Sequence, residues 1–278
     1  MSETRVSRGA IPAADVARIL DAAGVPSLLF GWWADIDFVI PDSHFARALD
    51  ALHAQGFEKC TNPTCNEFTP DRFTLRPGAH EQLPPSVWGP MMALNRTHAV
   101  ADAHIHLDTR YTYFTVLSLY KKSRLLWSLP DITLDPIPKN DPRFMFTNEA
   151  DRLPSWTGTA DASTGAWSDL YPVKTLTHTA LVEALMRLLC RDYGDREFIS
   201  TTWKFMVLNA IGMVARDKDN NVLERLVQLR DNVQREFQPL VACYIGMTEE
   251  YQGKLIRALR DYLIAHNELP DIPSEVNI

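Results

Sequence analysis

Two carboxylates stand close together near the beginning of the chain, where an apolar run resumes. Asp35 and Asp37 are separated by Ile36, and the apolar segment 38–40 follows them. Side chains at positions i and i+2 of a strand point to the same face. Paired carboxylates beside an open coordination position suit Mg²⁺ better than a soft metal. The spacing therefore predicts a Mg²⁺ site on one face of a strand, and the plainer alternative is an exposed strand edge with two solvated acids.

A second polar group lies on a predicted strand at 99–107. His104, His106 and Asp108 alternate with apolar residues and so share one face. If this strand lies beside the first, Asp108 brings a third acid to the same cleft, and the two histidines are further metal ligands. Three acids on adjacent strands can hold two divalent cations that assist phosphoryl transfer. The alternative is a half-exposed strand whose polar face meets water.

The same His-x-His pattern has another interpretation. Amidohydrolase barrels present two metal ligands in this way at the end of a strand. A metal-dependent hydrolase is therefore a remote alternative, with His178 and His266 as the remaining candidate ligands downstream. That fold requires alternating strands and helices over roughly 250 residues, a pattern that the second half of this chain does not follow.

Basic residues form a third group of candidates. Lys121, Lys122 and Arg124 follow a predicted strand, and Lys174 precedes a predicted helix. Cations near an acidic metal site commonly contact substrate phosphates, although a solvated basic turn is the commoner explanation. The chain has no glycine-rich phosphate loop, no Gly-x-Ser-x-Gly elbow and no His-Glu-x-x-His motif, which sets those enzyme classes aside.

The four cysteines are too few to indicate a disulfide scaffold in a chain of this size. Cys60 and Cys65 flank Thr-Asn-Pro-Thr, which has the spacing of half a zinc knuckle. Since no second Cys or His pair stands close by in the sequence, we expect free thiols.

The composition limits the number of domains and the kinds of partner that can be expected. The 278 residues are 46% hydrophobic, which is enough for a substantial core in one or two domains. With 28 Lys and Arg against 35 Asp and Glu, the net charge of −7 argues against general nucleic-acid binding or an anionic membrane partner. No stretch approaches the ~18 apolar residues of a membrane span, and the polar N-terminus lacks a signal-peptide core. We therefore expect a cytoplasmic protein.

Hydrophobic periodicity and breaker residues predict the elements that position these groups. The first part reads as a helix at 12–24 with Pro12 in its first turn, strands at 25–30 and 35–40, a helix capped by Asp42 or Ser43 and ended by Gly56, and strands at 99–107 and 114–120. Helices are predicted near 181–194, 198–214, 222–237 and 251–262, the last capped by Thr248. The Pro- and Trp-rich stretch between these parts is predicted to be irregular.

These elements predict an α+β fold in three parts. The first is a small mixed sheet with flanking helices at 1–125, the second an irregular arm at 126–173, and the third a helical bundle at 174–278.

The motifs together resemble the nucleotidyltransferase superfamily. They are an apolar strand that ends at Gly31, a strand with Asp-x-Asp, a helix, and a later strand with an acid. The chain is similar in particular to uncharacterised fungal nucleotidyltransferase-like proteins, through Val-Ile-Pro-Asp (39–42), Ser-Leu-Tyr-Lys-Lys-Ser (118–123), Leu-Leu-Trp-Ser-Leu-Pro-Asp (125–131) and Leu-Tyr-Pro-Val-Lys (170–174). This likeness extends over most of the chain.

The resemblance implies a function and a role for several residues. Gly31 would bind nucleotide phosphate, Asp35 and Asp37 would bind Mg²⁺, and Asp108 would be a third acid. The implied reaction is Mg²⁺-dependent transfer of a nucleotidyl group to a small-molecule hydroxyl.

The chain departs from the family at one place. Active members carry a helix between the glycine and the acids, and its N-terminus holds the triphosphate; here only Trp-Trp-Ala (32–34) separates Gly31 from Asp35. The chain is then either a naturally degenerate member that serves as a ligand- or protein-binding module, or a sequence that lacks an exon at this point.

Overall fold

The computed structural model describes residues 7–30, 36–62, 65, 101–107, 116–149, 152, 167, 169–193, 197–215, 222–246 and 251–270. Within these ranges the fold is α+β, with a six-stranded mixed sheet and several helices. The strands are β1 (Leu28–Leu29), β2 (Ile36–Ile40), β3 (Ala103–His106), β4 (Val116–Lys121), β5 (Phe144–Phe146) and β6 (Lys174–Leu176). The helices are α1 (Ser7–Ala22), α2 (Phe45–His53), α3 (Lys122–Leu125), α4 (His178–Asp192), α5 (Glu197–Ala215), α6 (Val222–Asn232), α7 (Gln238–Tyr244) and α8 (Gln252–Ala265).

The sheet has the strand order β3-β4-β2-β1-β6-β5. Strands β2 and β4 run parallel, as do β1 and β6, while the other neighbours are antiparallel. The expected α+β class is confirmed at this level. The sequence did not indicate β5 or β6, because three residues are too few for alternation to be visible.

The central strand β2 is buried on both of its faces. Ile36, Phe38 and Ile40 belong to one apolar cluster together with residues of α1 and α2. Val39 belongs to the second cluster, which includes residues of α4, α5 and the helices that follow. Because side chains alternate along a strand, Asp37 lies on the face of Val39. The acid is therefore on the side of the sheet that the later helices cover.

Glycines end the first two helices as expected. Gly24 has a φ of +68° and Gly56 a φ of +84°, values that glycine adopts without steric cost. The predicted start of α1 was wrong, because the helix begins at Ser7 and Pro12 lies inside it. The predicted capping by Asp42 or Ser43 was also wrong: a 3₁₀ turn precedes α2, and no side chain caps it. Asp42 instead accepts hydrogen bonds from Ser123.

Helices are present where the sequence predicts them among the described residues from 178 onward, with one extra element. The predicted helix at 222–237 ends at Asn232, and α7 follows with Pro239 in its first turn, where proline is well tolerated. Thr248 lies outside the described residues. None of the described helices is both long and apolar enough to cross a bilayer. The division into three parts stays a prediction, and one buried cluster joins Leu28 and Val39 of the sheet to the later helices.

Candidate functional site

A short segment after α2 lies along the edge strand β3. Lys59 pairs with Ile105 in an antiparallel bridge, and the backbone N–H of Cys60 donates to the carbonyl of His104 at 2.9 Å. Residues that face each other in an antiparallel pair share one face of the sheet. Cys60 therefore lies on the same face as His104.

The second cysteine lies close to both histidines. The N–H of Cys65 donates to the carbonyl of Asn62 at 3.0 Å. The Sγ atom of Cys65 lies 3.3 Å from Nε2 of His104 and 3.4 Å from Nε2 of His106. The two imidazole rings stand edge to face with centroids 5.1 Å apart.

Cys60, Cys65, His104 and His106 form a compact group that we call the Cys–His cluster. One potential ligand atom from each residue lies within 4.8 Å of the others. His104 is buried, the two cysteines are partly buried, and His106 is exposed. Sequence reasoning found both halves, Cys-x₄-Cys and His-x-His, but did not join them because about forty residues separate them. The sequence did contain a signal that could have joined them: both pairs have metal-ligand spacing, and neither has a second ligand pair close by in the sequence.

The acid of β2 belongs to a second arrangement on the same face. Asp37 is in register with Ser118 of β4, and Ser118 is in register with His104 of β3. We call these three residues the polar row. Asp37 is only 4% exposed. Since neighbouring strands are about 4.8 Å apart, the Cα atoms of Asp37 and His104 are separated by about 10 Å.

The strand order differs from the arrangement considered from the sequence, in which the histidine strand lies beside the acid strand. Strand β3 does not lie beside β2, because β4 stands between them and places Ser118 between the acid and the histidine. Gly31, Asp35 and Asp108 lie outside the described residues. His104 and His106, expected to join the acids, are brought together with two cysteines.

The basic residues have other contacts. Lys121 is in register with Ile40, on the sheet face opposite Asp37, and its Nζ lies 5.7 Å from the centroid of the Phe45 ring. Lys122 lies 3.9 Å from a carboxylate oxygen of Asp131. Their predicted contact with phosphate stays a prediction.

Arg124 and Lys174 have partners of their own. Arg124 pairs with Asp102 at 3.1 Å. The ammonium of Lys174 donates to the carbonyls of Thr133 and Asp135, and burial lowers the pKa of this lysine. The predicted contact of these two residues with phosphate also stays a prediction.

The later histidines do not join the cluster. Nε2 of His178 lies 2.7 Å from the carbonyl of Ala210, and burial lowers the pKa of this histidine. Nδ1 of His266 lies 2.8 Å from the carbonyl of Tyr262, and the two rings stack at 4.0 Å. Among the described strands, the sheet is mixed and six-stranded, unlike the eight parallel strands that the hydrolase alternative requires.

The polar row and the Cys–His cluster share His104 but offer different chemistry. The row provides a carboxylate and a hydroxyl, which are hard oxygen donors, whereas the cluster provides sulfur and imidazole nitrogen, which bind softer metals. The two arrangements therefore suit different ligands. A comparison of the chain with models of protein families, with curated proteins and with solved structures finds no match to any of them.

Proposed function

We propose that this chain is a nucleotidyltransferase-like protein that catalyses Mg²⁺-dependent transfer of a nucleotidyl group to a small-molecule hydroxyl. The observation that carries the proposal is the position of Asp37, a 4% exposed carboxylate on the central strand, in register with Ser118. Removing a carboxylate from water costs several kcal/mol before any compensation. Burial alone does not identify a functional site, but Asp37 shares one row with Ser118 and His104 across three strands, and a buried acid grouped with other polar side chains is typical of one.

The surrounding fold supports the proposal. The acid strand β2 is paired on both sides, antiparallel to β1 and parallel to β4, and α2 follows it closely. This is the order of elements that the resemblance implies around the Asp-x-Asp motif. In this proposal the sheet is of the nucleotidyltransferase type, and the helices from His178 onward form a bundle that covers the face of Asp37.

The donor chemistry of the row fits the implied metal. Asp37 offers carboxylate oxygens, the ligands that Mg²⁺ prefers, and Asp35 and Asp108 are the residues proposed to complete the set. When bound, Mg²⁺ would neutralise the charge on the transferred phosphoryl group. Ser118, next to the acid on β4, is placed to orient a polar group of the substrate. The Cys–His cluster does not fit Mg²⁺, because its donors are soft.

Thermal unfolding with Mg²⁺ and each of the four nucleoside triphosphates tests the proposal. We expect at least one triphosphate to raise the midpoint only when Mg²⁺ is present, since a ligand that binds the native state alone stabilises it. Asp37→Asn should abolish this shift. The matched control is Asp50→Asn, which changes an exposed acid on α2 and should leave the shift intact.

A second measurement separates transfer from binding alone. Incubating the protein with the triphosphate that binds and a mixture of small hydroxyl compounds should release pyrophosphate. Binding without any release would favour the degenerate, ligand-binding alternative. No shift with any triphosphate, or a shift unchanged by Asp37→Asn, would remove the basis for the proposed function altogether.

A further inference from the structure

We propose that the Cys–His cluster is a structural zinc site. Its donors are two cysteine sulfurs and two imidazole nitrogens whose ligand atoms lie within 4.8 Å of one another. Two sulfurs with two nitrogens is a donor set typical of Zn²⁺, whereas Mg²⁺ and Ca²⁺ select oxygen ligands. The site is independent of the acid on which the proposed function depends.

The distances agree with tetrahedral coordination. Zn–S bonds of about 2.3 Å and Zn–N bonds of about 2.0–2.1 Å at tetrahedral angles place a sulfur and a nitrogen ligand about 3.5 Å apart. Sγ of Cys65 lies 3.3 Å from one imidazole nitrogen and 3.4 Å from the other. The same sulfur is thus nearly equidistant from Nε2 of His104 and Nε2 of His106, as a shared cation requires.

Hydrogen bonding alone offers a less complete account of these contacts. A thiol has one hydrogen and can donate it to only one of the two nitrogens. The second contact then requires the other ring to carry its proton on Nε2, so the two histidines would need different tautomers. A cation bound by both nitrogens, with the proton of each ring on Nδ1, satisfies both contacts at once.

The backbone positions these ligands. His104 and His106 stand two apart on β3 and so face the same way. Cys60 is held opposite His104 by the backbone hydrogen bond between them, and the N–H of Cys65 donates to the carbonyl of Asn62. Cys-x₄-Cys is within the usual spacing of a zinc half-site, and a strand here provides the second pair.

The site is structural because the protein fills all four coordination positions. A catalytic zinc keeps one position open for water or substrate. Among the described strands, β3 lies at one end of the sheet order, and zinc would fasten Cys60 and Cys65 to this strand. Zinc would also fix His104, which is in register with Ser118. Coordination by two thiolates releases their two protons to solvent.

The other two cysteines are natural references. Cys190 is fully buried and its Sγ lies 3.9 Å from the carbonyl of Ile256, and burial raises its pKa to about 12. Cys243 is partly exposed, like Cys60 and Cys65, but it lies on α7, outside the cluster. Only the two cluster thiols should therefore respond to metal.

Metal analysis and cobalt substitution test the proposal on the full-length chain. We expect one zinc per chain after purification with zinc in the medium. Replacing zinc with Co²⁺ should give the visible absorption of a tetrahedral site together with a thiolate charge-transfer band. Cys65→Ser should weaken zinc binding by more than about 100-fold, since even changes that only support a ligand cost 10–100-fold. Cys243→Ser is the matched control and should bind zinc as the unaltered chain does.

A third measurement needs no variant and remains informative if Cys65→Ser fails to fold. Alkylation of the native protein, read by mass spectrometry, should spare Cys60 and Cys65 in the presence of zinc and modify them after chelation, while Cys243 reacts alike in both conditions. The proposal is overturned if the unaltered chain binds no zinc, if Cys65→Ser binds it equally well, or if chelation leaves the reactivity of the cluster unchanged. Asp37→Asn should keep its zinc, which separates this outcome from failure of the proposed function.

Discussion

Two polar clusters in this molecule reach a stable arrangement in different ways. Asp192 at the end of α4 is 1% exposed, and its carboxylate accepts from Trp203 Nε1 at 2.7 Å and from Nε of Arg191 at 2.9 Å. Donors and acceptors are matched there, and the charge of Arg191 balances that of the acid. The Cys–His cluster instead brings together four side chains that all offer electron pairs. The helical cluster therefore balances its own charges and hydrogen bonds, whereas the cluster on the sheet offers the ligands of the proposed zinc.

The difference shows how buried polar groups can be interpreted. Burial alone does not identify a functional site, because Asp192 and His104 are equally hidden at 1% exposure. What separates them is the chemistry of the neighbours. A group in which each hydrogen-bond acceptor has its own donor stabilises packing. A group of sulfur and nitrogen ligand atoms with tetrahedral spacing indicates a metal site.

The largest expected effect comes from removing Asp192 from the helical cluster that it forms with Arg191 and Trp203. Asp192→Ala removes the buried acceptor from Trp203 and leaves the partly buried guanidinium of Arg191 without its carboxylate, so we expect the free energy of unfolding to fall by about 3–5 kcal/mol. Urea denaturation with and without chelator measures this loss, which should be the same in both. Asp261→Ala, at an exposed position of α8, is the control and should cost less than about 0.5 kcal/mol. A loss below about 1 kcal/mol would show that Asp192 is not needed for packing.

An intermediate effect separates the two histidines of the cluster. With chelator present, His104→Ala should still destabilise the protein by about 1–3 kcal/mol, because this ring is buried and its removal leaves a cavity and unsatisfied neighbours. His106→Ala removes an exposed ring and should change stability without metal by less than about 0.5 kcal/mol. Urea denaturation measures both.

The two histidine variants, which should differ in stability without zinc, should respond to added zinc in the same way. Both should lose the stabilisation that zinc gives the unaltered chain, about 2.7 kcal/mol at a hundredfold excess over the dissociation constant. If His106→Ala keeps the full zinc-dependent stabilisation, the exposed histidine is not a ligand. The zinc site would then have three protein ligands.

The sequence predicted the parts of the fold that depend on local pattern. The five-residue strand with Asp37 and the helices with apolar residues at helical spacing were identified, because periodicity is visible within one segment. The strands β5 and β6 were missed since three residues show no period. The pairing of Cys65 with His104 was missed for a different reason: it joins segments 39 positions apart, and the register that aligns them is set by the sheet. The same limit applies to Asp42, whose partner Ser123 is also remote in sequence.

The smallest expected effect concerns Asp42, an exposed acid whose hydrogen-bond partner is Ser123. Its carboxylate accepts from the backbone N–H of Ser123 at 3.0 Å and from its hydroxyl at 2.6 Å. Although burial acts in the opposite direction, these hydrogen bonds hold the pKa of Asp42 below its usual value. The unfolded chain therefore binds its proton first as the pH falls. The stabilisation is complete above the unfolded pKa of about 3.9 and is lost as the pH falls through the lower, folded value.

Asp42→Asn should consequently lower the free energy of unfolding by about 0.5–1 kcal/mol at neutral pH, a value reduced by solvent screening because the contact is exposed. Urea denaturation at neutral pH and again at pH about 3 measures the difference, which should shrink in acid. Ser123→Ala removes the hydroxyl donor but keeps the backbone N–H, so it should cost less than Asp42→Asn, and the loss in the double variant should be smaller than the sum of the two single losses, because the two side chains share one contact. A loss equal at both pH values would mean that the charge of Asp42 contributes nothing.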